Sequence, residues 1–574
     1  MQSRSEETVP AHPDDPAALD TLARRPFARC IANRMDEVWK GRERRPSRRG
    51  AADTGSGGAF MLHLHGPWGS GKSSILNFLR DELQDEKRRP EERWVVVEFN
   101  AWRHQRIRPP WWALIRDVYA QSARQLPPLR SLWLRVRWWA WRVRADWLPV
   151  AAAAALITVA VLVISGVLKP APAPAEDAAW KGVELALKLL TGALAAWGTV
   201  FAVSRSLAFG SARAAQTYTE LKSDPLSPIV RLFQRLTASI RQPVAVFIDD
   251  LDRCDGKYVV ELLEGVQTLF RTAPVTYVVA ADRKWICASF QQGYRDFGDD
   301  IGEPGRPLGY LFLDKLFQVS ASVPRPAPEV QRAYWSALLR AAGTADAATL
   351  EARRQQAEAV AEREVGNRKT TEALQAFVQA AADPVEQEGR RAVAAQRITT
   401  PEAQRETQKH LLEGFADLLE PNPRSMKRLV NAYGLHQATH FLEHRHVAPD
   451  ALARWTLIEL RWPLLADHLE SHPETIAAVD GGAEPAGIPD ALKPLLRDEA
   501  LRDVVRGGAA APLDEAALRQ IVGSGDARTP AQGDVRGDAE PDAGAAADDI
   551  PMIAIEGGGK EADGGPKLAV QTQG

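Results

Sequence analysis

The chain has 574 residues, with 72 lysines and arginines against 74 aspartates and glutamates, giving a formal net charge of −2. That length exceeds one ordinary core and predicts several structural units, while the balanced charge argues for no specific nucleic-acid partner. The three cysteines, Cys30, Cys254 and Cys287, have no metal-binding spacing, which predicts a reducing compartment and no structural zinc.

The first unit covers 1–58. Its opening, acidic around Glu6, Glu7, Asp14 and Asp15, lacks the apolar core of a secretory signal, so any membrane insertion is expected to be internal. Leu19, Leu22, Ala23, Phe27, Ile31 and Met35 recur at helical spacing and predict a helix over 17–40. Residues 41–58 follow as a basic linker carrying Arg42, Arg44, Arg45, Arg48 and Arg49, then glycine and serine.

The second unit, 59–322, has short buried-type runs at 60–65, 94–99, 244–248 and 275–280, expected of a parallel sheet covered on both faces. A helix over 75–83 follows the first run. Between the second and third runs, 148–168 carries no charge, and 183–204 carries charges only at Glu184 and Lys188; each is long enough to cross a bilayer. Trp133, Trp138, Trp139, Trp141 and Trp147 crowd the approach, where amphipathic rings favour the headgroup layer. Arg124, Arg130, Arg135, Arg137, Arg142 and Arg144 precede the pair and Arg205, Arg213 and Lys222 follow it, while the connection holds only Lys169 and Lys181. The reading is a transmembrane helical hairpin over 148–204 with both flanks in the cytoplasm, and so a multi-pass protein of the cell (inner) membrane with the lipid bilayer as partner. The alternative is a pair of buried core helices.

A helical lid region is predicted over 323–500, with helices at 330–341, 411–419 and 425–470, a polar stretch at 345–410, and Leu429, Leu435, Phe441, Trp455 and Ile458 as core positions. The final unit, 501–574, reads as a mostly disordered tail, because from about 524 it is glycine, alanine, aspartate and proline with little apolar content.

The chemistry concentrates in Gly66-Pro67-Trp68-Gly69-Ser70-Gly71-Lys72-Ser73-Ser74, between the first run and the first helix of this unit. A phosphate chain needs many donors close by, and glycines let the backbone supply them. Lys72 then lies across the terminal phosphates, Ser73 ligates Mg²⁺, and Trp68 is expected to cover the loop. The third run ends in Asp249-Asp250-Leu251-Asp252-Arg253. Asp249 is the expected metal holder, Asp250 the residue that orients or deprotonates water, and Asp252 with Arg253 a local ion pair. Asp282, after the fourth run, is a candidate sensor of the γ-phosphate or a plain strand-ending acid. Arg424 is a candidate catalytic arginine brought from the lid, or a surface residue at a helix start.

These residues resemble the KAP family of P-loop NTPases over about 20–463, through GPWGSGKSS, the block Phe99-Asn100-Ala101-Trp102-Arg103, IDDLDRC, the block from Tyr310 to Gln318, and NPRSMKRLVN. The resemblance implies an ATPase domain split by transmembrane helices, an added central strand, ATP rather than GTP, and scaffolding or regulatory roles at membrane complexes, including phage exclusion in some bacterial members. The expected fold is therefore an α/β P-loop NTPase with a parallel sheet interrupted by the hairpin and followed by a lid. The expected ligands are ATP and Mg²⁺, and the expected output is conformational, acting on a membrane or cytoplasmic protein that the sequence does not identify. Self-association stays open. A nucleotide-binding scaffold with little hydrolysis is the rival reading; a nucleic-acid translocase fits less well, because the basic cluster abuts the apolar segment.

Overall fold

The computed structural model describes residues 16–43, 58–145, 216, 226–297, 301–339, 344–403, 412, 423–481, 488–507 and 511–523. Four runs dominated by valine and other apolar residues form the strands β1 (Phe60–His65), β2 (Val95–Asn100), β3 (Val244–Asp249) and β4 (Val275–Ala280). A shorter strand, β5 (Val319–Ser322), completes a parallel sheet in the order β2-β3-β4-β1-β5. The sequence reading missed β5, whose alternating serines lack the apolar run that marks the others. Because β4 stands between β1 and β3, the loop leaving β1 and the acids leaving β3 flank the end of one strand.

Side chains alternate across the pleat and are buried on both sides. Val95, Val97 and Phe99 share one core with Val246, Ile248 and Tyr277, covered by α4 (Pro110–Gln125), α6 (Leu226–Ile240), α7 (Gly256–Gly265), α8 (Arg283–Gly293) and α9 (Leu308–Leu316). Val96, Phe247 and Val278 turn to the other core, beneath α1 (Arg25–Glu43) and α2 (Lys72–Gln84). The short α3 (Ala101–His104) continues β2, and α5 (Pro128–Ala145) packs beside α4 and α6.

Beyond the sheet lie α10 (Pro328–Leu339), α11 (Thr344–Glu364), α12 (Thr371–Gln379), α13 (Pro384–Ile398), α14 (Pro423–Leu442), α15 (Pro449–Arg461), α16 (Pro463–Leu469), α17 (Glu499–Arg506) and α18 (Glu515–Val522). Among its described residues the polar stretch at 345–410 thus contains three helices with a small core of their own, built from Val365, Leu374, Phe377, Val393 and Ile398 with Cys30 of α1.

Several expectations need correction. The first helix begins at Arg25 rather than near residue 17, because Pro26 suits a first helical turn and the Asp20 carboxylate accepts from the Arg24 and Arg25 amides, leaving 16–24 as a strap of bends and turns. The tail does not start at 501: Leu501, Val504, Val505, Leu518 and Ile521 are buried against Trp455 and Leu465, so the helical region reaches Val522. Asp252 and Arg253 do not pair with each other, as described below. The hairpin expected over 148–204, the helix at 411–419 apart from Leu412, and the tail from 524 lie outside the described residues. No helix among the described residues is long and apolar enough to cross a membrane.

Candidate active site

The loop from Gly66 to Gly71 follows the exit of β1, and Lys72 opens α2. Gly69 and Gly71 have φ of +75° and +83°, the left-handed region that side chains disfavour, and a Cβ on Gly71 would also fall onto the Arg24 guanidinium. Lys72 is nearly buried. Its ammonium donates to the carbonyls of Gly66 (3.0 Å) and Pro67 (3.3 Å) and pairs with Asp252 at 3.1 Å.

Pairing in register sets the opposite wall, with Asn100 of β2 beside Asp249 of β3. The Asp249 carboxylate accepts from the Asp250 amide and hydrogen-bonds the Ser73 hydroxyl, while burial raises its pKa above the usual 3.8. Ser73 and Asp249 are oxygen donors only, a set suited to Mg²⁺, which prefers one or two protein ligands with phosphate and water completing its shell. A half-buried carboxylate facing a hydroxyl and the acids Asp250 and Asp252 fits such an ion. Asp250 adopts φ of +57°, held there by Asn100 Nδ2 on Oδ2 (2.6 Å) and by Arg253 Nε against Oδ1 (3.0 Å). Arg253 also lies over the Trp102 ring. The expected Asp252–Arg253 pair is therefore replaced by two others, because the 3₁₀ turn Leu251–Arg253 sends successive side chains to different sides: Asp252 goes to Lys72 and Arg253 back to Asp250.

Asp252 makes a second contact, accepting from the Asp282 amide at 3.1 Å. Asp282 itself caps α8, its carboxylate accepting from the Lys284 amide. The sensor position is thus on the rim of the site, with its side chain engaged in the helix cap. Trp68 is 66% exposed and leans toward Trp285 with ring centroids 6.4 Å apart, so it stands beside the loop instead of sealing it. Ser74 turns its hydroxyl to the strap, accepting from the Ala17 amide.

Arg424 is not brought to this site. Its guanidinium donates to the Lys315 carbonyl, close to Gln267, which reaches Met61 near the start of β1. That is the edge where the strands begin, about one strand length (roughly 20 Å) from the phosphate loop. Pro423 at the start of α14 and the bond to the Lys315 carbonyl hold the residue there, where burial and then Arg428 and Arg271 disfavour its charge.

Two contributors went unread in the sequence. Asn100 was legible only as part of a motif block, although a polar residue at a strand exit is a signal in itself. Arg24 arrives from the strap: it is buried, donates to the Ser70 carbonyl, and has an Nε without a partner. Burial lowers its pKa. One residue beyond Asp282, Arg283 is largely covered in an ion-pair cluster with Asp467 of α16 and Glu459 of α15, and Tyr310 also donates to Asp467.

The family model for the KAP family P-loop domain matches residues 53–439, more than half of the chain. No curated protein matches it. The matched span contains the phosphate loop, the Asn100–Asp250 contact, the Lys72–Asp252 pair and the β4 exit, and with the parallel sheet it places the chain in the KAP family of P-loop NTPases.

Proposed function

We propose that the protein is a membrane-anchored ATPase in which hydrolysis of the β–γ phosphoanhydride changes the position of the helical region. The arrangement of Lys72, Asp252 and the Asp249–Ser73 pair around one loop is the observation that carries this reading. In the absence of nucleotide, Asp252 serves as counter-ion to the buried lysine. A triphosphate competes for the same ammonium, so binding releases Asp252, whose other partner is the Asp282 amide. Arg283 follows Asp282 and grips α15 and α16 through ion pairs, which gives nucleotide state a short route to the lid. Mg²⁺, held by Ser73 and Asp249, would neutralise charge on the phosphate oxygens. Asp250, oriented by Asn100 and Arg253, is placed to orient water or accept its proton.

The membrane part rests on the uncharged 148–168 and nearly uncharged 183–204 segments and their basic flanks. An even number of crossings keeps β2 and β3 on one side of the bilayer, as their pairing requires.

Single-turnover measurements on purified protein test the reading. Lys72→Ala is expected to weaken ATP binding and slow hydrolysis, because it meets charge already present in the bound nucleotide. Asp250→Asn should leave binding near normal and lower the rate by about 10² to 10⁴-fold. Wild-type hydrolysis by Asp250→Asn removes that assignment and passes it to Asp252. Tight binding with no hydrolysis by the unmodified protein leaves the scaffold reading instead.

A further inference from the structure

Helix α5 has two apolar faces. Leu134 and Trp138 turn inward, Leu134 into the core and Trp138 onto the Tyr119 ring at 4.6 Å. On the other side Leu129, Leu132, Trp133, Val136 and Trp139 are between 53% and 79% exposed. At the helical repeat these five fall within an arc of about 120°, roughly opposite the packed side. Arg130 and Arg137 border the arc on one flank and Arg135 on the other, all exposed, and none has a carboxylate partner among the described residues. The helix contains no acidic residue, in a chain whose acids and bases otherwise nearly cancel.

We propose that α5 lies in the plane of an anionic phospholipid surface, with the Leu129–Trp139 face in the acyl boundary and the arginines at the phosphates. Broad apolar arcs bordered by arginine on both sides suit this position, since long basic side chains lay their stems along the apolar layer and reach the headgroups, and indoles favour the same depth. The helix is not long and apolar enough to cross, and the uncharged 148–168 run begins just beyond its end. An acidic protein partner would account for the arginines but not for five bare apolar side chains between them. A second copy would bring two unpaired arginine rows together. This inference goes beyond the hairpin, because a helix lying on a surface needs no crossing segment.

The test uses the full chain in nanodiscs of phosphatidylcholine, with and without phosphatidylserine. Since Cys30, Cys254 and Cys287 are buried, a spin label can be directed to Trp133→Cys or Trp139→Cys, with Glu362→Cys as a control. At 133 and 139 the ratio of oxygen to nickel-complex accessibility should rise several-fold over the control in phosphatidylserine discs. Joint Arg130→Glu, Arg135→Glu and Arg137→Glu substitution should return it toward the control value. Labels that stay open to the nickel complex overturn the proposal. So do labels shielded from both quenchers, which would mean that protein covers the face. Alkaline extraction separates this from the hairpin: resistance to extraction with water-exposed labels removes only the surface helix, whereas extraction with lipid-facing labels at neutral pH removes only the hairpin.

Discussion

Two segments meet at the phosphate loop, and they reached it by different routes. The acids of β3 lie at a strand exit, so their distance along the chain from the apolar run places them within a residue or two. The strap from Ala17 to Arg24 reaches the loop from outside the sheet and is secured by a region more than 300 residues away: Glu351 accepts from the Asp20 amide, Arg354 donates to the Asp20 carbonyl, and Arg25 pairs with Glu351 at 3.0 Å. The first kind of contact is set by local order and the second only by the finished fold. The acids carry charge that chemistry needs; the strap carries a means of holding the loop from the α11 side.

The largest expected effect falls on the local side of this contrast. Asp252→Ala leaves the Lys72 ammonium buried without its counter-ion, and breaking a buried pair in this way costs about 3–5 kcal/mol of folding stability. Denaturant titration without nucleotide should show the loss, and saturating Mg-ATP should recover part of it by supplying negative charge at the same place. If the nucleotide-free chain keeps its stability, the pair does not hold the loop.

On the distant side, Arg24→Ala removes a charged donor from the Ser70 carbonyl and should cost about 1.5–3 kcal/mol. Amide hydrogen exchange sharpens the comparison. Exchange should quicken both in the loop around Ser70 and in the strap, whereas Asp252→Ala should disturb the loop and the Asp282 amide. Equal exchange in the two variants would mean that the segments act as one.

Two pH effects are smaller. Burial raises the Asp249 carboxyl above its ordinary 3.8, so protons compete with Mg²⁺ at a higher pH than for an exposed aspartate. Mg²⁺-supported nucleotide affinity should therefore fall on acidification in the unmodified chain more than in Asp249→Asn, which a calorimetric titration at several pH values measures. In the lid, burial pushes Glu470 from 4.5 up to about 7, with Arg283 opposing and Glu459 and Asp467 adding to the rise. Between those values the folded chain holds a proton that the unfolded chain has lost, so stability falls as pH rises from about 4.5 to 7. Glu470→Gln should flatten that slope in denaturant midpoints.

Legibility followed the same division. The four longer strands, the phosphate loop and the Asp249–Asp250 pair could be read because apolar runs and glycine spacing are properties of neighbouring residues. β5 escaped because it is short and half serine, and the helices after 499 because each is only eight residues long, too short for its apolar spacing to stand out. Arg424 was misread for a different reason: a motif gives the identity of a residue but not the end of the sheet it faces. Arg24 beside the loop and Asn100 beside Asp250 depended on pairings that sequence order conceals.

The strand order also sets a timetable for biosynthesis. β1 pairs only with β4 and β5, and β2 only with β3, so no two strands made early are partners. As the chain emerges, β1 waits for the 209 residues between His65 and Val275 to be made before its first neighbour arrives. At roughly 5–20 residues per second that wait is on the order of ten to forty seconds. During it an apolar strand has an open edge on both sides, and the segment at 148–204 leaves the ribosome within the same interval. The phosphate loop is thus made well before β4 and β5, the strands that flank β1, which leaves that strand dependent on shielding until β4 docks.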